Sequence, residues 1–301
     1  MAVIFGVVAN LLWSSVLVVP YFLPEANILH LTIGRYVVYG LICCVVITAY
    51  WRSYKSLIFC YARQAIIFSL TGKLFYFFCL LYAVKLSGAS STGFILGLLP
   101  ISMVLYARLV NRETTVKPIL IPFILILAGL IFLGYARYGQ SSEVNTSLSD
   151  YILGLCFSIL ALLSWTYYSI KNREFLATKQ NIGSIQWSNL VGFYSFILSL
   201  LIFFLLIQHE GFVYHKFLTG LSAIQLLIML YLGIVVTQIG TILWNASSRR
   251  QSNRGMGLYL LILPCSGYFY DVALGNCSIS LTGVLALLFV VTGTYCFAKE
   301  E

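Results

Sequence analysis

Two cations sit inside stretches that are otherwise free of charge. Arg35 falls early in one apolar run and Lys73 near the middle of another. An ionisable side chain within a bilayer costs about 2.5–3.5 kcal/mol on insertion scales, so its position is a functional hypothesis from the outset. A guanidinium or ammonium without a carboxylate partner suits an anionic ligand, either a carboxylate or a phosphate, and Arg can hold both through two parallel hydrogen bonds. Structural roles are open to both residues: Arg35 can snorkel towards the interface or cap helix carbonyls, and Lys73 can bond a hydroxyl or a carbonyl. The nine acidic residues lie in loops, in tails or at the end of a run, and Asp271 alone is placed to reach inward.

Aromatic and amide side chains supply a wall around these charges. At helical spacing Lys73, Tyr76, Phe77 and Leu80 share one face, as do Arg35 and Tyr39. Trp13, Trp165, Asn189, Trp244 and Asn245 fall within neighbouring runs. Such a set suits an amphipathic ligand, for example an amino acid with a sizeable side chain. Aromatic belts at the membrane interface compete for the same residue types. Other chemistry has little to draw on. The three histidines, His30, His209 and His215, stand at segment ends, and the eight cysteines show no CxxC or other regular spacing. No metal site, cofactor or catalytic residue is expected, and no nucleotide-binding motif suggests ATP drive.

The elements that must position these residues follow from composition. Of 301 residues 60% are hydrophobic and only 9% charged, and the mean hydropathy is +0.95. A soluble domain carries about a quarter charged residues, so this chain cannot cover a surface that faces water. A bilayer core needs about 20 apolar residues per helix. On that length the sequence divides into ten runs, at roughly 3–22, 29–50, 64–84, 90–110, 118–137, 151–170, 186–207, 222–244, 257–275 and 281–298. The loops after the second, fourth, sixth and eighth runs hold three cations each; with Lys299, one side collects thirteen of the 18 Lys and Arg and the other three. The positive-inside rule then places the even loops and both termini in the cytoplasm. The net charge of +9 is thus a topology signal, and no concentrated basic face suggests nucleic-acid binding.

The third and fourth spans, Tyr76 to Pro100, align without a gap on Gly240 to Pro264, and both stretches end in a Leu-Pro pair. Five spans per half would invert the second half in the membrane. Leu11, Leu12, Trp13 and Ser14 in span one, Arg35-Tyr36 in span two, and the block from Ala83 to Glu113 resemble the drug/metabolite transporter superfamily in its ten-helix, EamA-like form. Asn276 stands where the first copy has Glu113, a departure from that pattern.

The resemblance implies an all-α polytopic membrane protein whose ten transmembrane helices form two inverted five-helix repeats around a central cavity, residues 1–140 and 149–299. It implies a bacterial inner membrane, and transport of small metabolites, often outward, with no covalent chemistry. Substrate, bilayer and a homodimeric second copy are the partners open to such a chain. Pro100 and Pro264 would kink their helices and serve as hinges; Gly93 and Gly97 form a GxxxG for close helix contact. Small multidrug exporters carry a carboxylate in span one and this chain has none, which disfavours cationic drugs. The expected function is therefore export of carboxylate-bearing metabolites, most readily amino acids, with Arg35, Lys73, Trp13, Tyr39, Tyr76, Trp165, Asn189, Trp244 and Asn245 as substrate-binding residues. Phosphorylated or nucleotide-type substrates, or a lipid flippase, are the alternatives. Facilitated diffusion or exchange is the expected coupling.

Overall fold

Lipid offers no partner for a backbone N–H or C=O, so apolar runs of this length satisfy these groups within themselves as helices. The computed structural model describes residues 2–99, 101–103, 105–106, 121, 123–125, 127–129, 132, 147–179, 181–209, 222–249, 259, 262–276 and 278–300. Its helices are α1 (Val3–Phe22), α2 (Ile28–Ala49), α3 (Trp51–Cys60), α4 (Ala62–Ser87), α5 (Ala89–Leu96), α6 (Leu148–Thr178), α7 (Ser184–His209), α8 (Ala223–Ser248), α9 (Ile262–Ala273) and α10 (Leu281–Glu300). Six of them, α1, α2, α4, α6, α7 and α8, are long and apolar enough to cross a membrane. Of span five, residues 121, 123–125, 127–129 and 132 are described and all are helical, and the Phe132 ring stacks on Phe289 of α10 at 5.5 Å. The described residues thus form an all-helical bundle, while Pro100 and the segments around 107–120 and 133–146 lie outside them.

Side chains fix where several helices begin. The Asn27 carboxamide accepts from the amides of Leu29 and His30 at the head of α2, and Ser222 and Gln225 form a reciprocal capping box at the head of α8. The bundle is apolar outside: Val45, Phe59, Leu163, Phe204 and Leu227 are exposed. Inside it buries Arg35, Lys73, Asn172, Asn189, Asn245 and Asp271. This is the arrangement expected of a polytopic helical membrane protein.

One stretch departs from the sequence reading. Residues 51–60, expected as loop, form the helix α3. Tyr54 and Ile58, one turn apart, are its buried positions and dock it on α7: the Tyr54 hydroxyl accepts from Asn189 and the Ile58 carbonyl accepts from the Tyr194 hydroxyl. A one-turn apolar stripe in a basic segment is short enough to be hidden among loop residues.

Each large contact joins an early helix to a late one. α1 packs on α8, α2 on α7, α4 on α6 and α5 on α9. The α5–α9 crossing is close because glycines line it. A Cβ at Gly267 would sit 2.5 Å from the Ala89 carbonyl oxygen, and one at Gly93 would sit 2.9 Å from that of Leu263. Gly88, between α4 and α5, holds φ at +86°, a left-handed turn that suits glycine.

α4 and α8 each contain a stretch of π-helix, Leu70–Phe75 and Leu232–Ile239. The two stretches end at Phe75 and Ile239, separated by the same 164 residues that separate Tyr76 from Gly240.

Candidate functional site

The wider π turn leaves backbone carbonyls in need of partners and often marks a functional site. In both helices a side chain from the helix packed alongside provides one. The Trp13 indole of α1 donates to the Val236 carbonyl at 3.0 Å, and the Ser164 hydroxyl of α6 donates to the Thr71 carbonyl at 2.7 Å. Glycine makes room for each approach: a Cβ at Gly240 would come within 2.7 Å of the Trp13 Nε1, and one at Gly72 within 2.2 Å of the Tyr168 ring.

These π stretches carry, or directly precede, the residues that hold the two buried cations. Lys73 is 3% exposed and donates to the Thr241 hydroxyl at 2.8 Å, with its ammonium 5.4 Å from the centre of the Tyr168 ring. Arg35 is 6% exposed; its Nε donates to the Thr237 hydroxyl at 2.6 Å, and its guanidinium lies 4.1 Å from the Phe77 ring centre. Both hydrogen-bond partners are neutral. Thr237 and Thr241 are one turn apart on α8, so the two cations are brought together across the bundle interior.

A cavity of about 30 Å³ lies between them, walled by Trp13, Arg35, Lys73, Tyr76, Trp165 and Thr241 together with Val16, Tyr36, Gly72 and Leu80. That space holds about two water molecules and is far below the roughly 300–1,000 Å³ of a small-molecule pocket, so a metabolite enters only if the surrounding helices part. Three contacting aromatic rings form part of its wall: Trp165 lies 5.0 Å from Trp13 and 4.7 Å from Tyr76, centre to centre.

Five of the nine expected binding residues, Arg35, Lys73, Trp13, Tyr76 and Trp165, therefore line one cavity. The other four are placed differently. Tyr39 donates to the Ser188 carbonyl at 2.6 Å, and Asn189 donates to Tyr54 while accepting from Gln238. Asn245 donates to Ser188 and accepts from Asn172, whose own carboxamide oxygen accepts from the Trp187 indole. These residues form a polar seam that ties α7 to α2, α3, α6 and α8. Trp244 packs behind the cavity, 5.2 Å from Trp13, without lining it. Pro264, expected as a hinge, is buried in α9, where its ring approaches Gly97.

The seam should carry more stability than any single hydrogen bond within it. Asn189→Leu would leave the Gln238 amide buried without its acceptor, at a cost of about 1–3 kcal/mol. Thermal unfolding of the purified variant in detergent should show a fall of several degrees, and an unchanged midpoint would deny the seam that role.

The residues missing from the sequence reading are Gly72, Thr237 and Thr241. A hydroxyl in an apolar helix ordinarily bonds its own preceding turn, as Thr237 also does to Leu232, so nothing in the sequence separates these two threonines from other such residues.

No family model matches the chain. Across 313 aligned residues it is 22% identical to inner membrane protein YtfF of Escherichia coli (strain K12), an alignment that covers 99% of this chain and 95% of that protein. An uncharacterized transporter of Clostridium kluyveri is 21% identical over 143 residues, covering 48% of this chain and 43% of that one. Among solved structures, one crystal structure superposes with a TM-score of 0.66 at 18% identity, covering 100% of this chain and 99% of the other. That likeness concerns the fold, and it extends over the whole length of a helical membrane protein.

Proposed function

We propose that this chain is a transporter of the inner, or plasma, membrane that exports small carboxylate-bearing metabolites, amino acids foremost, by alternating access. The observation that carries this reading is the pair Arg35 and Lys73, buried on neutral hydroxyls at the wall of an aromatic cavity. A substrate carboxylate would take both parallel bonds from Arg35 and one from Lys73, while the rings of Trp13, Tyr76 and Trp165 face its side chain. An amino acid's ammonium would find no carboxylate in this wall and would rest on the indole faces instead. The names of the relatives, an inner membrane protein and a transporter, support the membrane and the activity. The even-loop cations support cytoplasmic termini.

Two inverted five-helix repeats are part of this reading. If span one corresponds to span six, two to seven, three to eight and four to nine, a two-fold axis turns the α1–α8 contact into α6–α4 and maps α2–α7 and α5–α9 onto themselves. The paired π stretches and the matching bonds from Trp13 and Ser164 agree with the same operation. Rocking of one repeat against the other would open the cavity to each side in turn.

Two cations held by threonines one turn apart on α8 also favour a second reading, in which the substrate is phosphorylated and uses both charges. Proteoliposomes offered labelled aromatic and acidic amino acids, a nucleoside monophosphate and a lipophilic organic cation separate the two. Amino-acid flux is expected. Flux of the monophosphate alone would select the second reading, and flux of the cation alone would overturn both.

A further inference from the structure

Three polar atoms buried beside the cavity have no hydrogen-bond partner: Asn10 Oδ1 on α1, Ser169 Oγ on α6 and Trp244 Nε1 on α8. Asn10 is wholly buried, and Ser169 and Trp244 are each 1% exposed. Asn10 uses only its amide nitrogen, which donates to the Gly6 carbonyl at 2.9 Å. A polar atom sealed from water without a partner gives up its hydration and receives nothing, and buried polar groups are nearly always paired. Three such atoms on adjoining helices point to a partner that comes and goes.

Contacts above and below fix the three in one layer. On α1, Trp13 meets Val236 and Gly240, while a Cβ at Gly6 would lie 3.0 Å from the Ser247 hydroxyl, so α1 runs antiparallel to the end of α8 and Asn10 falls between those levels. On α6, Trp165 packs on Trp13 and Asn172 bonds Asn245; Ser169 stands between them on the same helical face. On α8, Trp244 directly precedes Asn245 and follows Thr241 by about 4.5 Å of helix, with its ring 5.2 Å from Trp13 and 6.3 Å from Trp165. The layer therefore separates the cavity from the Asn172–Asn245 part of the polar seam, on the side of the bundle that holds the start of α1.

We infer that this layer is the subsite for the ammonium group of a zwitterionic substrate, with Asn10 Oδ1 as its principal acceptor. The assignment rests on the amino-acid reading above and says what that reading leaves open. Both charged groups of the cavity wall are donors, the wall holds no carboxylate, and the Thr241 oxygen already accepts from Lys73. A carboxylate is thus provided for and an ammonium is not. The adjoining layer offers what is missing: an amide oxygen and a hydroxyl oxygen that accept, beside the indole faces of Trp13 and Trp244 that attract a cation. Hydrogen bonds of about 2.8 Å at either end of the substrate together cover one helical turn, about 5.4 Å. Asn10 lies about 4.5 Å along α1 from Trp13. Once the helices part, an α-amino acid can keep its carboxylate on the cations and set its ammonium on Asn10. The unused N–H of Trp244 would meet a carboxylate oxygen, so the layer answers both ends of a zwitterion.

Thermal unfolding of the purified full chain in detergent, titrated with phenylalanine and with 3-phenylpropanoate, reads the subsite without any flux. The second acid keeps the ring and the carboxylate and lacks the ammonium. The wild type should bind the amino acid at least about tenfold more tightly than the deaminated acid. Asn10→Leu should lose about tenfold or more for the amino acid and stay within about twofold of the wild type for the deaminated acid. Its melting temperature without ligand should not fall, because Oδ1 has no partner to lose and the Gly6 carbonyl keeps its helical amide. Asn10→Asp, of nearly the same shape, sets a carboxylate in the layer and should widen the preference for the amino acid. Should Asn10→Leu fail to fold, Asn10→Asp and Ser169→Ala decide: the first must widen the preference and the second, which breaks no bond made by its hydroxyl, must narrow it. A wild type that binds both acids equally would overturn the subsite and leave the carboxylate reading standing. Loss of both acids alike in Asn10→Leu would make Asn10 structural and overturn it too. Binding of neither acid by the wild type would sink the amino-acid reading, and the subsite with it.

Discussion

Lys73→Met is expected to lower the flux of carboxylate substrates by about tenfold to a hundredfold while leaving the protein as stable as the wild type, or more so. A hydrogen bond to a charged group contributes about 1.5–3 kcal/mol, which converts to that range of affinity. Stability moves the other way because the buried ammonium costs about 2.5–3.5 kcal/mol to place in the membrane. Its return in the substrate-free protein is one bond to Thr241 and a ring contact with Tyr168. Met fills the same volume without the charge, and Thr241 can bond its preceding turn instead. Arg35→Met should show the same opposition between flux and stability, with the larger loss of flux because a guanidinium held over Phe77 would offer a carboxylate two parallel bonds. Counterflow in proteoliposomes and thermal unfolding of the same preparations give the two numbers. Variants that unfold early and transport normally when folded would make both cations structural.

Gly267→Val should be among the most damaging single substitutions in the chain. The new Cβ would lie 2.5 Å from the Ala89 oxygen and 3.1 Å from the Ala89 carbon. Both are backbone atoms, which cannot swing aside as the tip of a side chain can. Relief requires α5 to lift from α9, at about 1–3 kcal/mol or more for the overpacking itself. The same displacement draws Ala89 and Ser90 away from Tyr21 and Asp271. The expected result is a sharp drop in folded yield and in melting temperature. Gly183→Ala is the control: its Cβ would meet nothing nearer than a flexible glutamine tip at 3.4 Å. Equal melting temperatures for the two variants would mean that α5 and α9 do not meet closely.

How much of this could be read from the sequence depended on how unusual each residue is for its setting. A Lys or Arg inside an apolar run stands out without any structure, and so do tryptophans at mid-span. Arg35, Lys73, Trp13 and Trp165, found separately by that signal, lie around one cavity. Amides gave a weaker lead, because a buried Asn must be satisfied somewhere and the sequence does not say by what. Asn189 and Asn245 are consumed by Tyr54, Gln238, Ser188 and Asn172, partners on α3, α8, α7 and α6. Thr237 and Thr241 were silent because a threonine bonding its own helix looks the same in sequence as one that also holds a cation. The short helix α3 was hidden by its basic composition. The π stretches left no trace at all, since one added residue per turn barely disturbs a pattern that is apolar on every side.

Those stretches bear on how a helix of this kind can change shape. A π turn holds one residue more than the α-helix around it, and each residue of an α-helix advances the side chains by about 100°. Moving the surplus residue along α4 or α8 would swivel the side chains it passes by up to that angle while both ends of the helix stay where they are. Lys73 lies within one such stretch and Thr237 within the other. Side chains at the cavity can thus be turned inward or away by a slip that travels through the middle of a helix, with no need for the membrane to accommodate a moving end.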